Sequence, residues 1–169
     1  GLARAFAKLS SIEAVTIWSA SNAHNLELVQ HGQAAFGIAL NGDIYAAARH
    51  GAAPGIIWDH QLYELDVFGV PAGDPKKSMA MDYIRYATGS APLAGMADWV
   101  PYGPARRSAL ALVRDNPELH RPMKAWLPTS HFATAFAIDD EWWRANGPRL
   151  AARWRAWRGG ALTAPAASP

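Results

Sequence analysis

The chain has 169 residues, half of them hydrophobic, a formal charge of +2 and no cysteine. That length suits one domain, or two small lobes, with a sizeable core; no apolar run approaches the length of a membrane span. The absence of cysteine excludes disulfides, thiolate metal sites and cysteine nucleophiles, and the near-balanced charge gives no reason to expect a nucleic acid or an anionic membrane as partner.

No signal peptide is visible, because Gly1-Leu2-Ala3-Arg4 opens directly into a helical pattern; an export signal would precede Gly1. Residues 2 to 12 repeat apolar positions at helical spacing (Leu2, Ala5, Phe6, Leu9) and predict an amphipathic helix. Ala14 to Trp18 is a short β-branched run of strand character, Ser19 to Asn25 a polar loop, and Leu26 to His31 a helix stopped by Gly32. Ala35 to Leu40 has strand length and ends at Asn41-Gly42-Asp43. There Asn41 is the expected N-cap of a helix from Asp43 to His50, with Gly51 at its C′ position.

Ile56 to Trp58 is a further strand candidate, and Leu65 to Val70 is the strongest in the chain. Asp74 and Pro75 are the expected N-cap and N1 of the next helix, which runs to about Thr88 and closes at Gly89. A long Pro/Gly loop with Trp99, Tyr102, Gly103 and Pro104 leads to a helix over Ala105 to Val113, and Asn116 to His131 is irregular. The last helix starts at Asp139-Asp140 and reaches Arg158, with Gly147-Pro148 as a kink. Trp143, Leu150, Trp154 and Trp157 share one face, the pattern of a core-packed helix with its arginines in solvent. The tail Ala161 to Pro169 has the composition of a disordered end, and no internal repeat is found. Eight tryptophans is a high number that core packing or ligand stacking could account for.

The two short apolar runs Ala35–Leu40 and Leu65–Val70 each meet acids. Buried α/β sheets make strands of this kind and gather ligand groups where strands end and helices start, so Asp43 and Asp66 are the leading candidates. Asp43 also suits the first turn of a helix on dipole grounds alone, whereas Asp66 inside an apolar strand would need a partner if buried. Glu64 stands at the entrance of the second run, either as a third site acid or as an exposed edge residue. The histidines lack ligand spacing (His24 and His31, His50 and His60), the serines lack a nucleophile-elbow context, and glycine-rich phosphate loops are missing. Neither metal nor cofactor is expected.

Four phrases occur in one order: LYELDVFGVPAGDPKKSMAMDYIRYATG, WVPYGPARRSALALV, AWLPT and IDDEWWRANGPRLAARWRAW. Together they resemble the C-terminal half of bacterial periplasmic solute-binding proteins of the spermidine/putrescine type, the capture subunits of ABC importers, from about Ala14 to Trp157. The resemblance implies an α/β fold of the type II periplasmic-binding-protein kind, here a partial two-lobed clamshell, because the family's first half has no counterpart. Residues 1–64 would be part of the C-terminal lobe, 65–104 a segment returning to the N-terminal lobe, and 105–160 the helices completing the C-terminal one.

The resemblance also implies a ligand site. Asp43 matches a position that looks to be aspartate in putrescine binders and arginine in binders of γ-aminobutyrate (GABA), where it would grip a carboxylate. Asp66 matches the acid that takes the second ammonium, and Tyr102 a tyrosine at the cleft. Leu40 and Glu64 stand where polyamine binders usually present tryptophans that sandwich the methylene chain. The function so implied is that of a non-enzymatic, periplasmic solute-binding component that carries a polyamine-like cation to an ABC permease in the inner membrane. The alternatives are a GABA-like or amino-acid ligand in the same family, a fragment that folds without binding, and an acid/base hydrolase built on Asp66 and Glu64.

Overall fold

A computed structural model describes residues 1–19, 21–51 and 54–162. The helices are α1 (Leu2–Ile12), α2 (Asn22–Gln30), α3 (Asn41–Arg49), α4 (Lys77–Ala87), α5 (Ser90–Ala97), α6 (Arg107–Leu112) and α7 (Asp140–Leu162). The strands among the described residues are two short ones, β1 (Leu62–Tyr63) and β2 (Phe136–Ala137). The chain divides into two compact units, one of residues 1–61 and 65–135, the other of 62–64 and Phe136 onward.

The larger unit is built on helices. Its core gathers Tyr45 of α3, Ala94 and Ala97 of α5, Ala109 of α6, and Val113, Met123 and Leu127. Ala97 and Ala109 are fully buried, and small side chains at these positions let α5 and α6 approach closely. Tyr45 locks α3 onto this pair: its ring meets Trp126 edge-on at 5.3 Å, and its hydroxyl donates to Met123 Sδ at 3.3 Å. The link after α6 is held by a buried acid. Asp98 is 3% exposed, and its carboxylate accepts the Arg114 backbone N–H at 2.7 Å and the guanidinium at 2.9 and 3.1 Å. Asn116 Nδ2 donates to the Asp98 carbonyl at 3.0 Å, so the polar groups of this turn are paired within it.

α5 stands where a continuous Pro/Gly loop is expected. Pro92 lies in its first turn, where the missing N–H breaks no helical bond, so the proline that argued for a loop is compatible with a helix. α2 likewise starts earlier than expected, because the Ser21 hydroxyl caps it by accepting the His24 N–H at 3.2 Å. Asp74 caps the turn before α4 by accepting the Lys76 N–H at 2.8 Å, and α4 itself begins at Lys77.

The expected strands are the main correction. Ala14 to Trp18 starts with a 3-10 turn (Glu13–Val15), and Ala35–Leu40, Ile56–Trp58 and Leu65–Val70 are irregular segments outside any sheet. Phe36, Ile38, Ile57, Leu65 and Val67 are all exposed. An apolar run becomes a strand only when a neighbouring strand takes its backbone N–H and C=O groups, and among the described residues no strand pairs with these runs.

In the smaller unit β1 and β2 pair in parallel, Leu62 with Phe136 and Tyr63 with Ala137, extended by Ile138 N–H to the Tyr63 carbonyl at 2.9 Å. α7 follows, capped by Asp139, whose carboxylate accepts the Trp142 N–H at 2.9 Å. Pro148 lies inside the helix. The expected core-packed tryptophan face is instead half-exposed to exposed: Trp142 meets Trp143 edge-on at 5.3 Å, and Trp154 and Trp157 lie 5.2 Å apart. α7 runs to Leu162; the rest of the tail expected to be disordered, 163–169, lies outside the described residues.

Candidate functional site

Leu40 ends the extended run and is the N-cap residue of α3, at φ −74° and ψ 138°. Its carbonyl accepts the N–H groups of Asp43 at 3.1 Å and Ile44 at 3.3 Å, so the helix starts at Asn41, two residues before the expected start. Asn41, the expected cap, has another task. Its Nδ2 donates to the carbonyls of Pro101 at 2.6 Å and Trp126 at 3.3 Å, tying the start of α3 to two distant loops. The helix ends as expected, at Gly51 with φ +90°, a conformation that suits glycine.

The loop so tied carries Tyr102. Pro101 and Pro104 on either side of it are buried, and the Tyr102 N–H donates to the Val100 carbonyl at 2.8 Å. Gly103 lies so close to Thr129 that a Cβ there would sit 2.6 Å from its methyl group. Tyr102 is therefore 57% exposed on a loop whose flanks are fixed, the usual arrangement for a contact residue on a rigid scaffold.

Of the candidate residues, the Asn41 tie brings Leu40, Asp43 and Tyr102 into one neighbourhood. Leu40 is exposed and Asp43 half-buried in the first turn of α3, where the partial positive charge of the helix start favours a carboxylate. Asp66 is exposed in the run after Glu64, so the expectation that burial would force a partner on it is corrected. Glu64 is exposed and belongs to the smaller unit, next to β1. The Asn41 cross-tie and the buried Asp98 escaped sequence reasoning. Asn-Gly-Asp after an apolar run signals a helix start, and nothing local distinguishes a capping asparagine from a bridging one.

Chemically, a half-buried carboxylate can hold an ammonium group, and an exposed tyrosine and an exposed leucine can cover methylenes. Among the described residues no group of three His, Asp or Glu comes together that could hold a metal ion. The acid with a visibly tuned ionisation lies elsewhere. Asp59 accepts a 2.6 Å hydrogen bond from the Thr134 hydroxyl and pairs with His60 at 2.9 Å, and these hold its pKa below the usual carboxylate value. An open cavity of about 520 Å³ lined by Gly95, Asp98, Trp99 and Arg114 includes none of the candidates, and its acid already serves Arg114.

Residues 1–125 match the family described as bacterial extracellular solute-binding protein. Over 159 residues the chain is 31% identical to a γ-aminobutyric acid-binding protein of Pseudomonas aeruginosa, which covers 93% of this chain and 44% of that protein. A solved GABA receptor superposes with a TM-score of 0.65 at 26% identity, over 92% of this chain and 47% of its own. An ABC transporter substrate-binding protein from Bradyrhizobium japonicum gives a TM-score of 0.69 at 23% identity, over 91% and 48%, a likeness of fold. The chain thus spans about half the length of these relatives. It belongs to the bacterial extracellular solute-binding protein family, whose members are binding proteins and not enzymes, and it has part of the α/β fold of the periplasmic members.

Proposed function

We propose that this member of the family serves as solute-binding component of an ABC importer outside the cytoplasm, and that its ligand is a GABA-like amino acid, delivered to a membrane permease. The observation that carries this reading is the 31% identity to a GABA-binding protein across 93% of the chain. It favours the amino-acid alternative over the polyamine one. In this reading Asp43 takes the ligand's ammonium and Tyr102 and Leu40 flank its methylenes. The ligand's carboxylate meets a group outside these five residues. Asp66 and Glu64 remain candidates for a wider site.

A second reading has its own observation. Asp43 and Asp66 are both acids, and two carboxylates suit a linear diamine better than a ligand that itself carries a carboxylate. Calorimetric titration of the chain with GABA, putrescine and spermidine separates the two. GABA should bind with the strongest heat, and Asp43→Asn should weaken it by about tenfold or more, the loss of one charge-assisted hydrogen bond. Preference for putrescine, abolished by Asp66→Ala, would establish the diamine reading instead.

A further inference from the structure

Gly103 is a glycine for reasons of space and not of conformation. Its φ lies outside the left-handed region that favours glycine, unlike those of Gly32, Gly51 and Gly73. A Cβ at 103 would lie 2.6 Å from the Thr129 methyl, 2.7 Å from its hydroxyl and 3.1 Å from its Cβ, nearer than such atoms pack. Thr129 thus occupies the space of the side chain that residue 103 lacks. It stands on a firm base. Leu127 is fully buried, the Pro128 carbonyl accepts Gln61 Nε2 at 3.1 Å, and the Ser130 N–H donates to the Leu127 carbonyl at 3.0 Å. The Thr129 hydroxyl is buried and has no hydrogen-bond partner among the described residues, so the threonine acts here through its shape.

We propose that Thr129 is a positioning residue for Tyr102 and, through it, sets which length of ω-amino acid the site prefers. The inference rests on the reading of Asp43 and Tyr102 under Proposed function. Tyr102 lies between two holds, Asn41 on the Pro101 carbonyl and Thr129 against Gly103. Asp43 stands in the same first turn of α3 as Asn41, so the acid for the ammonium and the tyrosine over the methylenes are spaced by one framework. A fixed spacing favours one number of methylenes over its neighbours.

The test is calorimetric titration of the full chain with GABA and with its homologue one methylene longer, which gives a ratio of affinities. Gly103→Ala should change that ratio by about fivefold or more, because the added methyl displaces the loop. Combining it with Thr129→Ala, which clears the methyl and the hydroxyl, should restore the ratio. Thr129→Ala alone should also move the ratio and speed hydrogen exchange of the Tyr102 amide by about tenfold. Thr129→Val, of the same shape without the hydroxyl, should rescue both, and this pair decides even if Gly103→Ala does not fold. The proposal is overturned by a ratio that neither Gly103→Ala nor Thr129→Ala moves while binding persists. A double variant that regains stability without the ratio overturns it too, as does a Thr129→Val chain that behaves like Thr129→Ala. These results leave the GABA reading standing, whereas an unaltered chain that binds neither amino acid defeats that reading and this inference together.

Discussion

Residues 90–127 and residues 65–70 are both rich in apolar side chains, yet the first stretch is a core and the second lies in solvent. The difference lies in the backbone. α5 and α6 satisfy their own N–H and C=O groups, so they need only each other and α3 to bury an apolar face. An extended run satisfies none of its own and stays open until a neighbour pairs with it. Helices can thus close a core while an apolar run of the same chain lies in solvent.

That contrast can be broken most forcefully in the core. Leu127→Ala empties a fully buried position and should cost about 2–5 kcal/mol in denaturant unfolding. Val67→Lys, in the open run, should change the stability of the isolated chain by no more than about 0.5 kcal/mol. Equal effects would mean that 65–70 is packed after all. Next comes Asp98→Ala, which strands the Arg114 backbone N–H and removes two bonds to its guanidinium, and should cost about 2–3 kcal/mol. Arg114→Ala should cost under about 1 kcal/mol, because its side chain is 81% exposed and solvent replaces the pair.

Asn41→Ala sharpens the comparison from the core side, where α3 meets the loops of residues 90–127. It frees the Pro101 and Trp126 carbonyls and should cost about 1–2 kcal/mol while loosening the Tyr102 loop, seen as faster hydrogen exchange at 102–103. The smallest effect concerns pH. Asp59 is more acidic in the folded chain than its ordinary value of 3.8, so the stability it contributes is complete above that value and is lost as pH falls through the lowered one. Thr134→Ala removes the main cause and should flatten the fall of the thermal midpoint below about pH 4.

Helices were largely legible in the sequence because each carries its own signals: Gly51 after α3, the apolar spacing of α1, Asp139 before α7. Strand runs were legible as apolar segments but not as strands, since pairing depends on residues that need not be near in sequence. α5 was hidden by Pro92, which a first turn tolerates, and by Gly89 and Gly95, the first its N-cap and the second with open space around it. In the candidate site, the residue types were visible and their meeting was not. Asp43 and Tyr102 come into one neighbourhood through Asn41, a side chain whose bonds span 60 and 85 residues of sequence. Most of the tryptophans make ring contacts, Trp58 stacked on His131 at 4.6 Å among them, and Trp126 packs against the core from its edge.

The most direct measurement is amide hydrogen exchange of the full chain with and without saturating GABA, read residue by residue. Slowed exchange is expected at Leu40–Asp43 and at Tyr102–Gly103 together, with putrescine producing less. Slowing confined to the Asp98–Arg114 cavity, or none at either stretch, would contradict it.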